Sequence, residues 1–197
     1  MYTTNGNEVN NMDNNRSAEV FMSAKDLALT GMFAVVIAVC SWVSVPTAVP
    51  FTLQTFAVFC ALGMLGGKRG SFAVIVYMML GAVGLPVFAN FKGGIGVLLG
   101  PTGGYILGFL LTAGLYWLAE KFIGDNIIIK VISMTVGLAL CYFFGTVWFV
   151  RVFSASNGEM TLYKALQMCV IPFVVWDIIK LALALALTAT VRKRIKI

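Results

Sequence analysis

Inside an apolar run near its end, Pro172-Phe-Val-Val-Trp-Asp-Ile-Ile-Lys-Leu181, the chain places an acid and a base three residues apart, Asp177 and Lys180. An ionised side chain in hydrocarbon costs at least about 2.5–3.5 kcal/mol on insertion scales, so such residues face a cavity, pair with each other, and mark a substrate or ion path. Positions i and i+3 share one face of a helix. The pair therefore points into one pocket while partly neutralising itself. The plainer alternative is a structural ion pair that pins two helices together.

The rest of the chain is built to surround such a pocket with lipid. Of 197 residues, 60% are hydrophobic and only 11% charged, far from the balance of a soluble domain. That length holds about six spans of roughly 20 residues with short connections and no additional soluble domain. The Asn-rich residues 1–23 lack the basic start and cleavage site of a signal peptide and read as a disordered polar tail; 24–197 form a single membrane domain. Cys40, Cys60, Cys141 and Cys169 form no CxxC pair and read as small core hydrophobes. There is no histidine, so the commonest metal ligand and proton shuttle is missing.

The expected spans are Leu27–Val45, stopped by Pro46; Phe51–Leu65, short for a crossing; Ser71–Val83, after a basic turn Gly66-Gly-Lys-Arg-Gly70; Gly104–Phe122; Ile127–Val150; and Leu166–Val191. Six spans put both termini on one side. With the termini cytoplasmic, the inner segments hold Arg16, Lys25, Lys68, Arg69, Lys121, Lys130, Arg192, Lys193, Arg194 and Lys196, against Lys92, Arg151 and Lys164 outside. That bias fits the positive-inside rule, and it accounts for the net charge of +6 without a nucleic-acid partner. The expected place is the cell membrane, with the start of the Asp177 helix outside.

The connection from Gly84 to Gly104 is long, glycine-loaded and apolar, which marks it as functional. It ends in Gly100-Pro-Thr-Gly-Gly-Tyr105 as a helix begins, where free N–H groups can seat an anion and glycines let a ligand approach. Asn90, alone among apolar residues, and Gln54, at the outer end of a span, are further candidate ligand contacts. Ala34 and Ala38 form a small-xxx-small pattern that lets a helix pack closely, either inside the protein or on a partner. No GxxxxGK[ST] loop, GxSxG, HExxH or intramembrane His/Cys set is present, so no ATP hydrolysis and no catalytic residues are expected.

Three stretches, Val49-Pro-Phe-Thr-Leu-Gln-Thr-Phe-Ala-Val58, Gly81-Ala-Val-Gly-Leu-Pro-Val-Phe-Ala89 and Leu99-Gly-Pro-Thr-Gly-Gly-Tyr-Ile-Leu-Gly-Phe109, together with Asp177-x-x-Lys180, resemble the BioY family. The resemblance covers about Leu27 to Val191. It implies an all-α membrane protein with the six-helix fold of an S component, which captures biotin from outside for an energy-coupling factor transporter. The implied partners are a transmembrane T component and two ABC ATPases. S components touch the T component through an AxxxA element of their first helix, where Ala34 and Ala38 stand here. Biotin suits the candidate residues. Asp177 can accept from a ureido N–H, with Asn90 on the same ring, and Lys180 can hold the carboxylate unless both charges share one ligand end. Tyr105 and Trp176 can wall the apolar ring, while Lys92 stands where the family often has glycine and competes for the carboxylate. The alternative function is an ion-coupled secondary transporter of a small carboxylate using the buried pair, for which the sequence offers no inverted repeat. No cofactor is expected.

Overall fold

The computed structural model describes residues 22–45, 47 and 49–194. The polar tail up to residue 21, the stop at Pro46 and the terminal Lys196 lie outside them. Eight helices run through the described residues: α1 Ala24–Trp42, α2 Gln54–Leu65, α3 Gly67–Ala82, α4 Ile95–Leu99, α5 Gly103–Phe122, α6 Ile127–Asn157, α7 Leu162–Cys169 and α8 Ile171–Arg194. A two-stranded hairpin, β1 Ser44–Val45 with β2 Phe51–Thr52, separates α1 from α2. The six longer helices fall where spans are expected. Of these, α1, α6 and α8 are each long and apolar enough to cross a membrane by themselves.

Local chemistry sets several boundaries. A capping box starts α1: Ser23 Oγ accepts from the Asp26 N–H and Asp26 Oδ2 from the Ser23 N–H, each at 3.2 Å. The expected five-residue basic turn reduces to Gly66, whose φ of +83° favours glycine; Lys68 and Arg69 already lie in the first turn of α3. The last expected span is two helices. The chain breaks at Val170 and restarts with Pro172 in the first turn of α8, a position that tolerates a residue without an N–H. Between the expected fifth and sixth spans, α6 runs on to Asn157 and α7 starts at Leu162, four residues before the expected span, capped by Thr161 on the Lys164 N–H.

Close approach between helices is bought with glycine. A Cβ at Gly104 would overlap the Trp148 side chain, at Gly108 the Cys141 thiol, at Gly137 Thr112 and at Gly145 the Tyr105 ring, so α5 and α6 form one tight hairpin. Thr112 Oγ1 also donates to the Gly137 carbonyl at 2.9 Å across this seam. Almost the whole of α2 is buried, enclosed by α1, α3 and α8.

Ala34 and Ala38 are buried, at 0% and 4% exposure, on the face of α1 that also carries Thr30, Phe33, Ile37 and Ser41. That face packs on α2 and α3. The expected partner contact is thus corrected to an internal packing seam; Met32, Val35 and Val39 form the outward face.

At the end opposite the cavity described below, ion pairs tie the helices together. Arg69 Nε meets Asp26 at 2.9 Å, and Asp125, between α5 and α6, meets both Lys130 at 2.6 Å and Arg192 of α8 at 2.5 Å. Glu120 accepts from the Gly67 N–H at the start of α3.

Candidate functional site

A cavity of about 190 Å³ opens at one end of the bundle. Its walls come from the hairpin, the α3–α5 connection, and α2, α5, α6 and α8. Phe88, Ile106, Phe109, Leu138 and Phe173 make them largely apolar.

Asp177 and Lys180 sit together in this cavity at 5% and 6% exposure. The Lys180 ammonium donates to Asp177 Oδ1 at 2.8 Å and to the Thr52 carbonyl at 2.7 Å, and lies 4.0 Å from the centre of the Phe51 ring. Tyr142 donates its hydroxyl to Asp177 Oδ2 at 2.5 Å. The lysine's donors are thus largely committed within the protein. The carboxylate keeps lone pairs to spare, since an ionised acid can accept about four hydrogen bonds. Both readings of the sequence meet here: the charges form an ion pair, and that pair faces a cavity.

Gln54 also lines the cavity, at 5% exposure, and its Nε2 has no hydrogen-bond partner among the described residues. An unpaired buried amide is costly; the Tyr77 hydroxyl, itself without a partner among the described residues, neighbours this one, so either that hydroxyl or a ligand in the cavity can supply the acceptor. Tyr105 presents its ring, its hydroxyl being 3.1 Å from Thr146 Oγ1. Three lining residues, Thr47, Asn90 and Lys92, are exposed and mark the mouth. Asn90 and Phe91 both adopt positive φ, 57° and 56°, in a turn closed by the Phe88 N–H on the Lys92 carbonyl. Asn90 Oδ1 accepts from Ser44 Oγ at 3.0 Å, and the Phe91 ring stacks on Trp42, which joins this turn to the hairpin.

Two expectations are corrected. Trp176 does not line the cavity: it is 56% exposed on the outer face of α8 and meets Phe51 edge-on at 6.0 Å. One residue from Asp177, it points about 100° away around the helix. The glycines of the Gly100–Gly104 element serve packing, because a Cβ at Gly103 would overlap the Leu98 carbonyl; Thr102 is the member of that element that lines the cavity. Tyr142, Cys141 and Cys169 are lining residues that sequence reasoning missed. An aromatic or a thiol inside an apolar run carries no mark that separates it from packing.

A helical membrane bundle that encloses, at one end, a largely apolar cavity holding a buried ion pair defines a solute-binding membrane protein. This chain belongs to the BioY family, whose model matches residues 12–197. The biotin transporter BioY of Thermotoga maritima is 43% identical over 171 residues, covering 86% of this chain and 96% of that one. The probable biotin transporter BioY of Pyrococcus horikoshii is 38% identical over 164 residues, or 83% and 93% of the two chains. The crystal structure of the S-component for biotin from an ECF-type ABC transporter superposes with a TM-score of 0.74 at 26% identity, covering 98% of this chain and 95% of that one. The all-α S-component fold is therefore that of this chain.

Proposed function

We propose that this protein captures biotin in the cavity described above, as the substrate-specific component of an energy-coupling factor transporter. Its family, the names of its relatives and its fold support the reading. The observation that carries it is the Tyr142-Asp177-Lys180 array beside the unpaired Gln54 amide in a mostly apolar cavity. A cyclic urea offers two N–H donors and one carbonyl, and the array with Gln54 offers spare acceptors and a spare donor. Asp177 accepts from a ureido N–H and Gln54 donates to the ureido carbonyl, while Tyr142 and Lys180 hold the carboxylate in place. Tyr105, Phe109 and Phe173 wall the sulfur-containing ring. Because Lys180 is committed inside, the ligand's own carboxylate goes to Lys92 at the mouth, with Asn90 beside it.

The basic end carries Lys68, Arg69, Lys121, Arg192, Lys193 and Arg194 and faces the cytoplasm, which opens the cavity to the outside. Loaded protein then delivers its ligand through a T component driven by two ABC ATPases. No observation favours the ion-coupled transporter, and a match over 98% of the chain to an S-component displaces it.

The test is titration of the purified protein with biotin, desthiobiotin, thiamine and riboflavin, followed by tryptophan fluorescence and calorimetry. Tight binding of biotin, weaker binding of desthiobiotin and silence from the other two is the expected result. Equal or absent responses to all four would remove the assignment. Co-purification with untagged host proteins identifies the energising partners.

A further inference from the structure

The cavity has a closed, buried interior and an open mouth. Its volume of about 190 Å³ lies below the roughly 300–1,000 Å³ of pockets that bury a whole drug-sized molecule. Polarity is divided in the same way. Asp177, Lys180 and Gln54 are buried, whereas Thr47, Asn90 and Lys92 are exposed. The one cation at the mouth, Lys92, makes no salt bridge among the described residues and stands on an exposed turn.

On the biotin reading, on which this inference rests, the bicyclic head fills the interior and the acid end of the tail reaches water beside Lys92. An ion pair made at such a site is screened and loses side-chain entropy. It is worth no more than about fivefold in affinity. Had Lys180 been free, the acid would be held by a buried charge, and its loss would be severe. Lys180 is instead bonded to Asp177 and to the Thr52 carbonyl, under the Phe51 ring.

We infer that this protein also takes, as a second substrate class, biotin whose carboxyl group is blocked as an amide. Discrimination lies in the ring system, and the mouth admits an extended tail. A primary amide, or an amide with the side-chain nitrogen of free lysine, keeps every interior contact and forfeits only the charge at Lys92.

Calorimetric titration of the full chain with biotin, biotin primary amide and the biotin amide of lysine tests this. Both amides are expected to bind within about tenfold of biotin, the exposed-pair limit with a margin. A larger loss for the amides beside intact biotin binding overturns the inference and leaves the biotin reading standing. Failure of biotin itself overturns that reading instead. In Lys92→Gln the ratio of acid to amide affinity is expected to fall to about one. An unchanged preference for the acid places its recognition elsewhere and overturns the argument from the mouth; Lys92→Ala supplies the same ratio should the first variant express poorly. Uptake by cells of the two amides carrying the label themselves then shows whether they are carried as well as bound.

Discussion

The hydroxyl of Tyr142 on α6 donates to Asp177 Oδ2 on α8, and this bond, with Lys180 on the other oxygen, fixes the plane of the carboxylate. Only the remaining lone pairs then face the cavity. Tyr142→Phe keeps the ring and deletes the donor. It is expected to weaken biotin binding by about 0.5–1.5 kcal/mol, the net worth of an ordinary hydrogen bond, through a faster off-rate measured by stopped-flow fluorescence. An unchanged off-rate would show that Asp177 is positioned by Lys180 alone.

Removal of either charge of the Asp177 and Lys180 pair leaves the other buried and uncompensated. Asp177→Asn and Lys180→Met are each expected to cost about 3–5 kcal/mol of stability. The double variant should recover much of that loss while still binding biotin less tightly, because a neutral amide oxygen replaces the charged acceptor for the ureido group. Thermal unfolding in detergent separates the two effects. A double variant no more stable than the singles would contradict the pairing.

Side-chain direction distinguishes Tyr105 from Trp176. Tyr105 is 9% exposed and lines the cavity; Trp176 points away at 56%. Tyr105→Ala is expected to weaken biotin binding and to lose about 3–5 kcal/mol of stability, as for a large core truncation. Trp176→Ala leaves the affinity unchanged. Equal affinity losses in both, measured by calorimetry, would mean that α8 rotates on loading.

Most of this was legible where the physics is local or severe. Two charges three residues apart in an apolar run had to share a buried face, and they do. The apolar segments had to be helices in lipid, and the six longer helices fall on them. What escaped the sequence depends on rotation and on partners in space. One residue separates Trp176 from Asp177 and turns it out of the site. Ala34 and Ala38 could serve any close contact, and only the position of α1 against α2 and α3 makes it an internal one. Tyr142 became visible only once α6 lay beside α8. The break at Val170 was hidden because Pro172 is tolerated in the first turn of a helix, so the apolar run reads straight through it.

The internal seam of α1 has a direct consequence. A large side chain at Ala34, which is 0% exposed, has nowhere to go. Ala34→Leu is expected to cost about 1–3 kcal/mol by overpacking, visible as a lower melting temperature of the protein by itself. Val35→Leu, one position away at 57% exposure, should leave that temperature unchanged. A loss of partner binding by Ala34→Leu with full stability of the free protein would instead restore a surface role for the alanine.

Asp125 links the α5–α6 turn to the far end of α8, the helix that carries Asp177 and Lys180. Burial pushes its carboxyl pKa up, but the hydrogen bonds and charges of Lys130 and Arg192 outweigh that and hold it below its ordinary 3.8. A carboxyl depressed in the folded state contributes stability that is fully present above the unfolded value and is lost as the pH falls through the folded one. The clamp therefore holds at neutral pH and begins to fail only below about pH 4, by an amount reduced by its partial exposure. Asp125→Asn should lower the melting temperature at pH 7 and narrow the gap to wild type as the pH drops from 5 to 3, roughly the window in which the wild-type carboxylate is itself being neutralised. A constant gap across that range would show that the destabilisation comes from lost packing rather than from charge.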